Sequence, residues 1–223
     1  MMGMATTVSD ESDRQGFAAL LLRLRGKGIV GKSLVAAFEA TPRRHFVPAQ
    51  WQAVAWAEGM IPIECGEAME GADLQAQIIS ALAIEPGHRV LEIGTGSGYT
   101  AAVMARLASR VITVERFKTL SALARQRYED LAISNVSVRH ADGLNGLPGE
   151  GPFDRIVVWG AFEALPRQFV DQLSSGGTVI LPVGGAESEQ VLVRLTKVGS
   201  RFEREEIGHV RLQALQAGLP QVL

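Results

Sequence analysis

The sequence has very little cysteine, since Cys65 is the one cysteine among 223 residues. A single cysteine excludes an internal disulfide, and Cys65 lacks the neighbouring ligands that a zinc site requires. We therefore expect Cys65 to be an ordinary buried or loop residue. Nothing else in the sequence specifies a metal, and we expect none.

Long apolar runs are also missing. The longest stretches, such as residues 17–22, are far shorter than the roughly 20 residues that span a bilayer. Residues 1–13 lack the basic start and apolar centre of a secretory signal. There is no excess of positive charge either, because 22 basic and 24 acidic residues leave a net charge of −2. We expect a cytoplasmic protein that binds neither membranes nor nucleic acid.

The residues that are present describe an ordinary globular protein, with 47% hydrophobic and 21% charged residues. A chain of 223 residues suffices for one well-buried α/β domain with a modest extension, and is short for two domains. We expect a loose tail over residues 1–13 and a single domain over residues 14–223. Within that domain, residues 14–84 form a helical N-terminal extension and residues 85–223 an α/β core.

Apolar residues at helical spacing predict three helices in the extension. The first lies around residues 17–24, and the second, around residues 34–38, must end before Pro42. The third begins at about Asp73. The segment from Pro42 to Cys65 is interpreted as mostly connecting structure.

From Arg89 onward, short apolar runs alternate with helical segments, which is typical of βαβ units. We expect a doubly wound, mostly parallel seven-stranded sheet of the Rossmann-like kind. Only residues 197–202 separate the last two strands, so these form an antiparallel hairpin. The predicted strands cover residues 89–93, 110–115, 136–139, 155–159, 178–182, 190–196 and 203–210. The predicted helices of this half lie around residues 99–107, 118–131 and 165–173.

Three alternating glycines, Gly94, Gly96 and Gly98, follow the first of these strands and precede a helix. Glycine is needed where the backbone turns sharply and a ligand approaches closely. The G-x-G-x-G spacing departs from the G-x-G-x-x-G of dinucleotide sites, because Tyr99 stands where the third glycine would pack. A P-loop is excluded, since no G-K-[ST] follows at the required spacing. We expect the loop, with Thr95, to hold a different nucleoside cofactor.

Acidic residues lie at or close to the carboxyl ends of three of the predicted strands. Glu115 follows the loop by about 20 residues, where a carboxylate accepts two hydrogen bonds from a ribose diol. Asp142, next to Gly143, is placed to accept from an adenine amine, and the alternative is a turn residue. Glu92 either contacts the cofactor or bonds the loop's own backbone. Arg116 completes the predicted cofactor-binding set.

The chain resembles class I methyltransferases in its loop, and the protein-L-isoaspartate O-methyltransferase family over nearly its whole length. The matching pieces include Pro42-Arg43-Arg44-His45-Phe46-Val47-Pro48, Ile61-Pro62-Ile63, Glu92-Ile93-Gly94-Thr95-Gly96-Ser97-Gly98-Tyr99 and Leu181-Pro182-Val183-Gly184. The resemblance implies S-adenosyl-L-methionine as cofactor and a protein or peptide carboxylate as methyl acceptor. It implies protein repair, with residues 14–84 carrying a lid over the acceptor.

The sequence departs from the family's Gly-Gln-Thr-Ile-Ser-x-Pro segment, where it has Gly66-Glu67-Ala68-Met69-Glu70-Gly71-Ala72. Glu67 and Glu70 take the acceptor-site positions, and Glu70 replaces the serine expected to bind the acceptor. Ionised glutamates would repel an incoming carboxylate, and each pair of unit charges about 4 Å apart costs about 4 kcal/mol at an effective dielectric constant near 20. The alternatives are therefore a different acceptor, with a glutamate as base, or a non-catalytic cofactor-binding protein. Trp159 and Phe162 also replace small residues, and either fill space near the acceptor or pack in the core.

Overall fold

The computed structural model describes the backbone of residues 3–220 and the side chains of residues 11–220. Helix α1 covers Gly3–Gly26, so the predicted loose tail is corrected from Gly3 onward, while residues 1–2 lie outside the described residues. The tail was predicted because residues 3–13 carry no apolar periodicity. The helix nevertheless continues, and the indole nitrogen of Trp56 donates a 2.7 Å hydrogen bond to Asp13.

Short elements follow α1 and carry the chain to the core. Helix α2 covers Lys32–Glu39 and α3 covers Ala72–Leu82. Between them lie two 3-10 turns and a two-stranded antiparallel hairpin, whose strands pair Ile61 with Met69. The hairpin strands are β1 (Ile61–Pro62) and β2 (Ala68–Met69), joined by a third 3-10 turn at Glu64–Gly66. We refer to residues 61–71 as the lid.

The core is a seven-stranded sheet in the order β5-β4-β3-β6-β7-β8-β9. Strands β3 to β7 pair with one another in parallel, whereas β8 pairs antiparallel with both β7 and β9. This confirms the predicted doubly wound sheet with its antiparallel C-terminal hairpin. The strands are β3 (Arg89–Ile93), β4 (Arg110–Glu115), β5 (Val136–His140), β6 (Phe153–Val158), β7 (Leu173–Val183), β8 (Gln190–Val198) and β9 (Arg201–Val210). The intervening helices are α4 (Tyr99–Ala105), α5 (Lys118–Asp130) and α6 (Gln168–Asp171).

The prediction was least accurate around α6 and β7. The helix was expected over residues 165–173, and it is the single turn Gln168–Asp171. Strand β7 begins at Leu173 rather than at the predicted residue 178. It pairs with β6 on both sides of an irregularity, where the pairing register shifts between Phe153 and Arg155. The shift accommodates Gly176, whose φ of 75° breaks the regular pleat.

Alternating side chains of the central strands enter two apolar clusters, one on each face of the sheet. Val90, Val111 and Val157 belong to the first cluster, which includes α3 and α4. Leu91, Ile112 and Ile156 belong to the second. Burying each such side chain contributes about 1.5–3 kcal/mol. The two faces hold β3 and β4 firmly, so their carboxyl ends are fixed relative to each other.

An ion-pair cluster attaches α1 to α3, and thereby positions the lid that precedes α3. Asp73 accepts hydrogen bonds from Arg23, at 2.8 Å for the shortest, and from Lys27. Burial raises the pKa of Asp73, but the hydrogen bonds and charges of Arg23 and Lys27 outweigh it, so that the net pKa is lowered. The carboxylate is therefore ionised and keeps the two helices together.

Strand β9 forms one edge of the sheet, and the side chains of its first six residues are exposed. Glu205 pairs with Arg194 of β8 at 2.6 Å, and Glu206 pairs with Arg204 at 3.0 Å. This edge is consequently charged. Across residues 3–220, none of the helices combines the length and apolar character needed to cross a bilayer.

Candidate functional site

The glycine loop between β3 and α4 has a backbone that only glycine adopts readily. Gly94, Gly96 and Gly98 have φ values of 91°, 52° and 90°. A Cβ at Gly98 would lie 2.8 Å from the hydroxyl of Tyr128, and one at Gly94 would lie 3.2 Å from Trp159 Cβ. The glycine spacing thus reflects both backbone conformation and close packing.

Glu92 is fully buried beneath this loop. Its Oε1 accepts hydrogen bonds from Thr100 Oγ1 at 2.5 Å and Trp159 Nε1 at 2.9 Å, and its Oε2 accepts from Thr113 Oγ1 at 2.7 Å. Burial raises the pKa of Glu92 to about 7, although these hydrogen bonds lower it. Glu92 bonds side chains of three elements rather than the loop backbone. Its binding of a cofactor stays a prediction.

Glu115, at the end of β4, is 5% exposed and faces the loop. Its Oε2 accepts from the main-chain nitrogen of Gly96 and its Oε1 from that of Phe117, both at 2.9 Å. Burial raises the pKa of Glu115, while these N–H donors lower it. Each carboxylate oxygen has further lone-pair capacity for a ligand hydroxyl.

A cavity of about 530 Å³ lies at the carboxyl ends of the central strands. The predicted residues Gly94, Gly96, Glu115, Arg116 and Gly143 line it, and so does Glu67 of the lid. Thr95, Gly98, Glu92 and Asp142 are outside this lining. Residues that were not predicted as cofactor ligands complete the walls: Gly66, Ala68, Ile93, Val114, Phe117, Trp159, Gly160, Ala186, Gln213, Ala214, Leu215 and Gln216.

Residues 213–218, which we call the strap, run beside this cavity, and residues 213–216 line it. Gln213 and Leu215 form backbone hydrogen bonds with Ala161, beyond β6. At the other end, Gly218 N donates to Asp142 Oδ2 at 2.7 Å, and Arg116 donates to Gln216 at 2.5 Å. The strap was missed because residues 213–218 carry no motif or periodicity.

Asp142 therefore holds the strap in this structure. Its other oxygen, Oδ1, accepts from the main-chain nitrogen of Leu144 at 2.8 Å, which is the turn role that the sequence left as an alternative. Binding of an adenine amine by Asp142 stays a prediction. The neighbouring Gly143 lines the cavity, and a Cβ there would lie 2.5 Å from Ile93 Cγ2.

The lid brings the two acceptor-site glutamates to different places. Glu67 lines the cavity, and its pKa is raised by burial and by the charge of Glu115. Glu70 is partly buried outside the described lining, and burial raises its pKa to about 7. Its main-chain carbonyl accepts a 2.8 Å hydrogen bond from Arg43. Arg43 was not predicted; its place in the matching block before His45 was the available signal.

Contacts between the lid and the glycine loop make them one unit. Arg127 of α5 donates to the carbonyl of Ser97 at 2.8 Å, and lies 3.9 Å from the carboxylate of Glu64. The hydroxyl of Ser97 donates to the sulfur of Met69 at 3.1 Å. The lid position thus depends on the same loop that lines the cavity.

Metal binding has no support in the side chains of residues 11–220, where no three His, Cys, Asp or Glu side chains group closely enough to hold an ion.

Trp159 lines the cavity, whereas Phe162 packs against Phe169 with ring centroids 5.7 Å apart. Trp159 and Phe162 both stand where the family has small residues. Of these two, Phe162 is therefore part of the core packing.

A family model described as protein-L-isoaspartate(D-aspartate) O-methyltransferase (PCMT) matches residues 15–218. The chain belongs to this family. A protein-L-isoaspartate O-methyltransferase of Rhizobium meliloti (strain 1021) is 48% identical over 188 residues, which are 84% of this chain and 92% of the relative. One from Parvibaculum lavamentivorans is 41% identical over 215 residues, 96% of each chain.

Solved structures have the same fold. A chain titled protein-L-isoaspartate O-methyltransferase superposes with a TM-score of 0.76 and 26% identity, over 91% of this chain and 67% of the other. A Plasmodium falciparum chain in complex with S-adenosyl-L-homocysteine also has a TM-score of 0.76, with 23% identity over 89% of this chain and 97% of that one. These likenesses confirm the PCMT-type architecture of the sheet and its flanking helices.

Proposed function

We propose that this protein transfers the methyl group of S-adenosyl-L-methionine to the α-carboxylate of isoaspartyl residues in protein substrates, the first step of their repair. The observation that carries the proposal is the single cavity that the Glu115 strand end and the lid line together. The family shown by the sequence match supports the reaction. The proposed place of action is the cytoplasm, and the proposed partner is a damaged protein or peptide.

The residues present fit the cofactor. The cavity of about 530 Å³ lies within the roughly 300–1,000 Å³ usual for small-molecule sites. A Cβ at Gly94 or Gly143 would crowd its wall, so the lining requires glycine there. Glu115 would hold the ribose hydroxyls, and Gly143 would leave room for the adenine. Arg116 and Gln216 also line the cavity and are joined by a hydrogen bond.

The chemistry requires alignment more than proton transfer. S-adenosyl-L-methionine supplies an electrophilic methyl group on a sulfonium. An acceptor carboxylate with a pKa of about 4 is already ionised at neutral pH. The bound cofactor would supply the methyl group to one oxygen of that carboxylate, with the electron pair of the broken C–S bond staying on sulfur. The lid and strap exclude water and hold the two reactants in line.

The two lid glutamates bear on acceptor choice. Burial raises the pKa of Glu67 and of Glu70, the latter to about 7, so a large part of the Glu70 side chains is neutral near pH 7. A neutral carboxyl donates a hydrogen bond to a carboxylate instead of repelling it. We therefore propose that Glu70 tolerates a carboxylate acceptor. The same pKa suits a general base, which favours a neutral nucleophile as a second candidate acceptor.

The test measures methyl transfer from S-adenosyl-L-methionine carrying a labelled methyl group to two peptides that differ only in having an isoaspartyl or an aspartyl residue. Transfer to the isoaspartyl peptide alone is expected. Glu70→Ser is assayed beside the wild type, with Glu203→Ser on the exposed edge strand as the control. Activity that appears only in Glu70→Ser would indicate a different natural acceptor. Cofactor binding without transfer by either protein would contradict the proposed reaction.

A further inference from the structure

Trp159 is the large aromatic side chain at the end of β6, and it lines the cavity. Its main-chain nitrogen donates to the carbonyl of Ile93 at 2.9 Å, which places the residue directly beside the start of the glycine loop. The side chain lies over Gly94, where an added Cβ would be 3.2 Å from Trp159 Cβ. The indole thus forms a wall of the cavity next to that loop.

The strand order places Trp159 at the opposite end of the cavity from Glu115. Strand β3, with the glycine loop, lies between β4, which ends in Glu115, and β6, which precedes Trp159. Neighbouring strands are about 4.8 Å apart, so these two strand ends are about 10 Å apart. A nucleoside whose ribose is held at Glu115 and whose base lies at Gly143 must extend its 5′ chain across the loop toward Trp159.

The indole is held in place by a buried group. Its Nε1 donates to Glu92 Oε1 at 2.9 Å, and Glu92 is itself held by Thr100 and Thr113. Rotating the indole away would leave Glu92 Oε1, a buried carboxylate oxygen, with the hydroxyl of Thr100 as its one remaining partner among the described residues, and a lost hydrogen bond to a buried carboxylate is unfavourable. Trp159 is therefore a rigid wall and does not adapt to a larger ligand.

We propose that Trp159 is a specificity-determining residue that sets the upper size of the group carried on the cofactor's sulfur, and so restricts transfer to methyl. Glu92 is the positioning residue that fixes the indole. This inference depends on the proposed function, because it assumes a sulfonium nucleoside in the cavity. It concerns Trp159, which the sequence left between core packing and the space near the acceptor, and Glu92, which the sequence left between the cofactor and the backbone of the glycine loop.

The test is calorimetric binding of three probes: S-adenosylhomocysteine, S-adenosylmethionine and its S-allyl analogue. We expect the wild type to bind the allyl analogue about tenfold or more weakly than the methyl compound, which is the usual discrimination by a tight apolar wall. In Trp159→Ala, the ratio should fall below about threefold while S-adenosylhomocysteine affinity changes by less than about threefold. Trp51→Ala, at an exposed tryptophan outside the cavity lining, is the matched control and should keep the wild-type ratio.

Trp159→Phe keeps the test decisive if the alanine variant fails to fold, because it retains an aromatic wall but loses the hydrogen bond to Glu92. Its ratio should lie between those of wild type and Trp159→Ala. Equal binding of the methyl and allyl compounds by the wild type, or an unchanged ratio in both Trp159 variants, would overturn this inference alone. If the wild type bound neither S-adenosylhomocysteine nor S-adenosylmethionine, the proposed function would fail and this inference with it.

Discussion

The guanidinium of Arg43 donates a hydrogen bond to the main-chain carbonyl of Glu70, which ties a fully buried arginine to the lid. The same guanidinium donates to the carbonyl of Ala55 and to the side chain of Gln75, both at 2.5 Å. It also lies 4.5 Å from the ring centroid of Tyr99, at the start of α4. One side chain therefore joins the lid to the helix that follows the glycine loop.

Replacing Arg43 with methionine should lower the free energy of unfolding by about 3 kcal/mol, because three buried acceptors lose their donor. Burial lowers the pKa of Arg43, but the side chain remains cationic at neutral pH. Urea denaturation measures the effect. Arg201→Met, on the exposed part of β9, should change stability by less than about 0.5 kcal/mol. Equal stability of the two variants would contradict the structural role of Arg43.

The pH dependence of stability reports on Glu70. Burial raises its pKa to about 7 in the folded protein, above the ordinary value of about 4.3. Its contribution is fully present below the ordinary pKa and is lost as pH rises through the folded value. Relative to wild type, Glu70→Gln should therefore gain about 1–2 kcal/mol between about pH 5 and about pH 8, after allowance for solvent screening.

Urea denaturation of both proteins at the two pH values measures this difference. Taking the difference between variant and wild type removes the contribution of Glu92, whose pKa is also raised to about 7. Glu203→Gln, on the exposed edge strand, is the control and should behave as wild type at both pH values. A Glu70→Gln difference that does not change with pH would show that Glu70 titrates normally.

Cofactor affinity should depend on Glu115. In Glu115→Gln, one carboxylate oxygen becomes an NH₂ group that no longer accepts a hydrogen bond, so S-adenosylhomocysteine should bind about 10- to 100-fold more weakly. Calorimetry gives the dissociation constant, and circular dichroism checks the fold, because Glu115 also accepts from Gly96 and Phe117. The exposed Glu203→Gln variant should bind as wild type does. Unchanged binding by a folded Glu115→Gln would remove the ribose assignment.

The strap should control how quickly the cofactor product leaves. A methyl group at Gly160 would lie 2.8 Å from Leu215 Cδ1 and 3.2 Å from its Cβ, so Gly160→Ala should push the strap outward. We expect S-adenosylhomocysteine to dissociate about fivefold faster, with its association rate little changed, since affinity differences are expressed mostly in dissociation. Stopped-flow displacement measures both rates. Gly87→Ala is the control, because a Cβ added at Gly87 would have no atom within 4 Å apart from its chain neighbours. This variant should leave both rates unchanged.

The elements that the sequence predicted well are those whose local pattern matches their environment. Buried parallel strands appear as short apolar runs, so β3 and β4 were placed at their observed residues. The glycine loop and Glu115 were found because backbone conformation and spacing are local properties. The hairpin of β1 and β2 was missed, because two-residue strands carry no periodicity.

The parts of the site that were not predicted depend on long-range contacts. Arg43 and Gln75 are 32 residues apart, and Gly218 and Asp142 are 76 apart. Neither pair has a pattern that a single sequence reveals. Asp142 was assigned to the cofactor because its strand end was recognised. The strap, which donates a hydrogen bond to the Asp142 carboxylate, was not predicted.

The charged edge of the sheet has a consequence for how molecules of this protein meet. An exposed strand edge offers unpaired backbone groups to any other strand, and two such edges join readily when they are apolar. Pairing of a second copy with β9 would desolvate four exposed charged side chains, those of Glu203, Arg204, Glu205 and Glu206, and this desolvation is unfavourable. Concentrated solutions should therefore resist the edge-to-edge stacking of sheets that begins fibre growth.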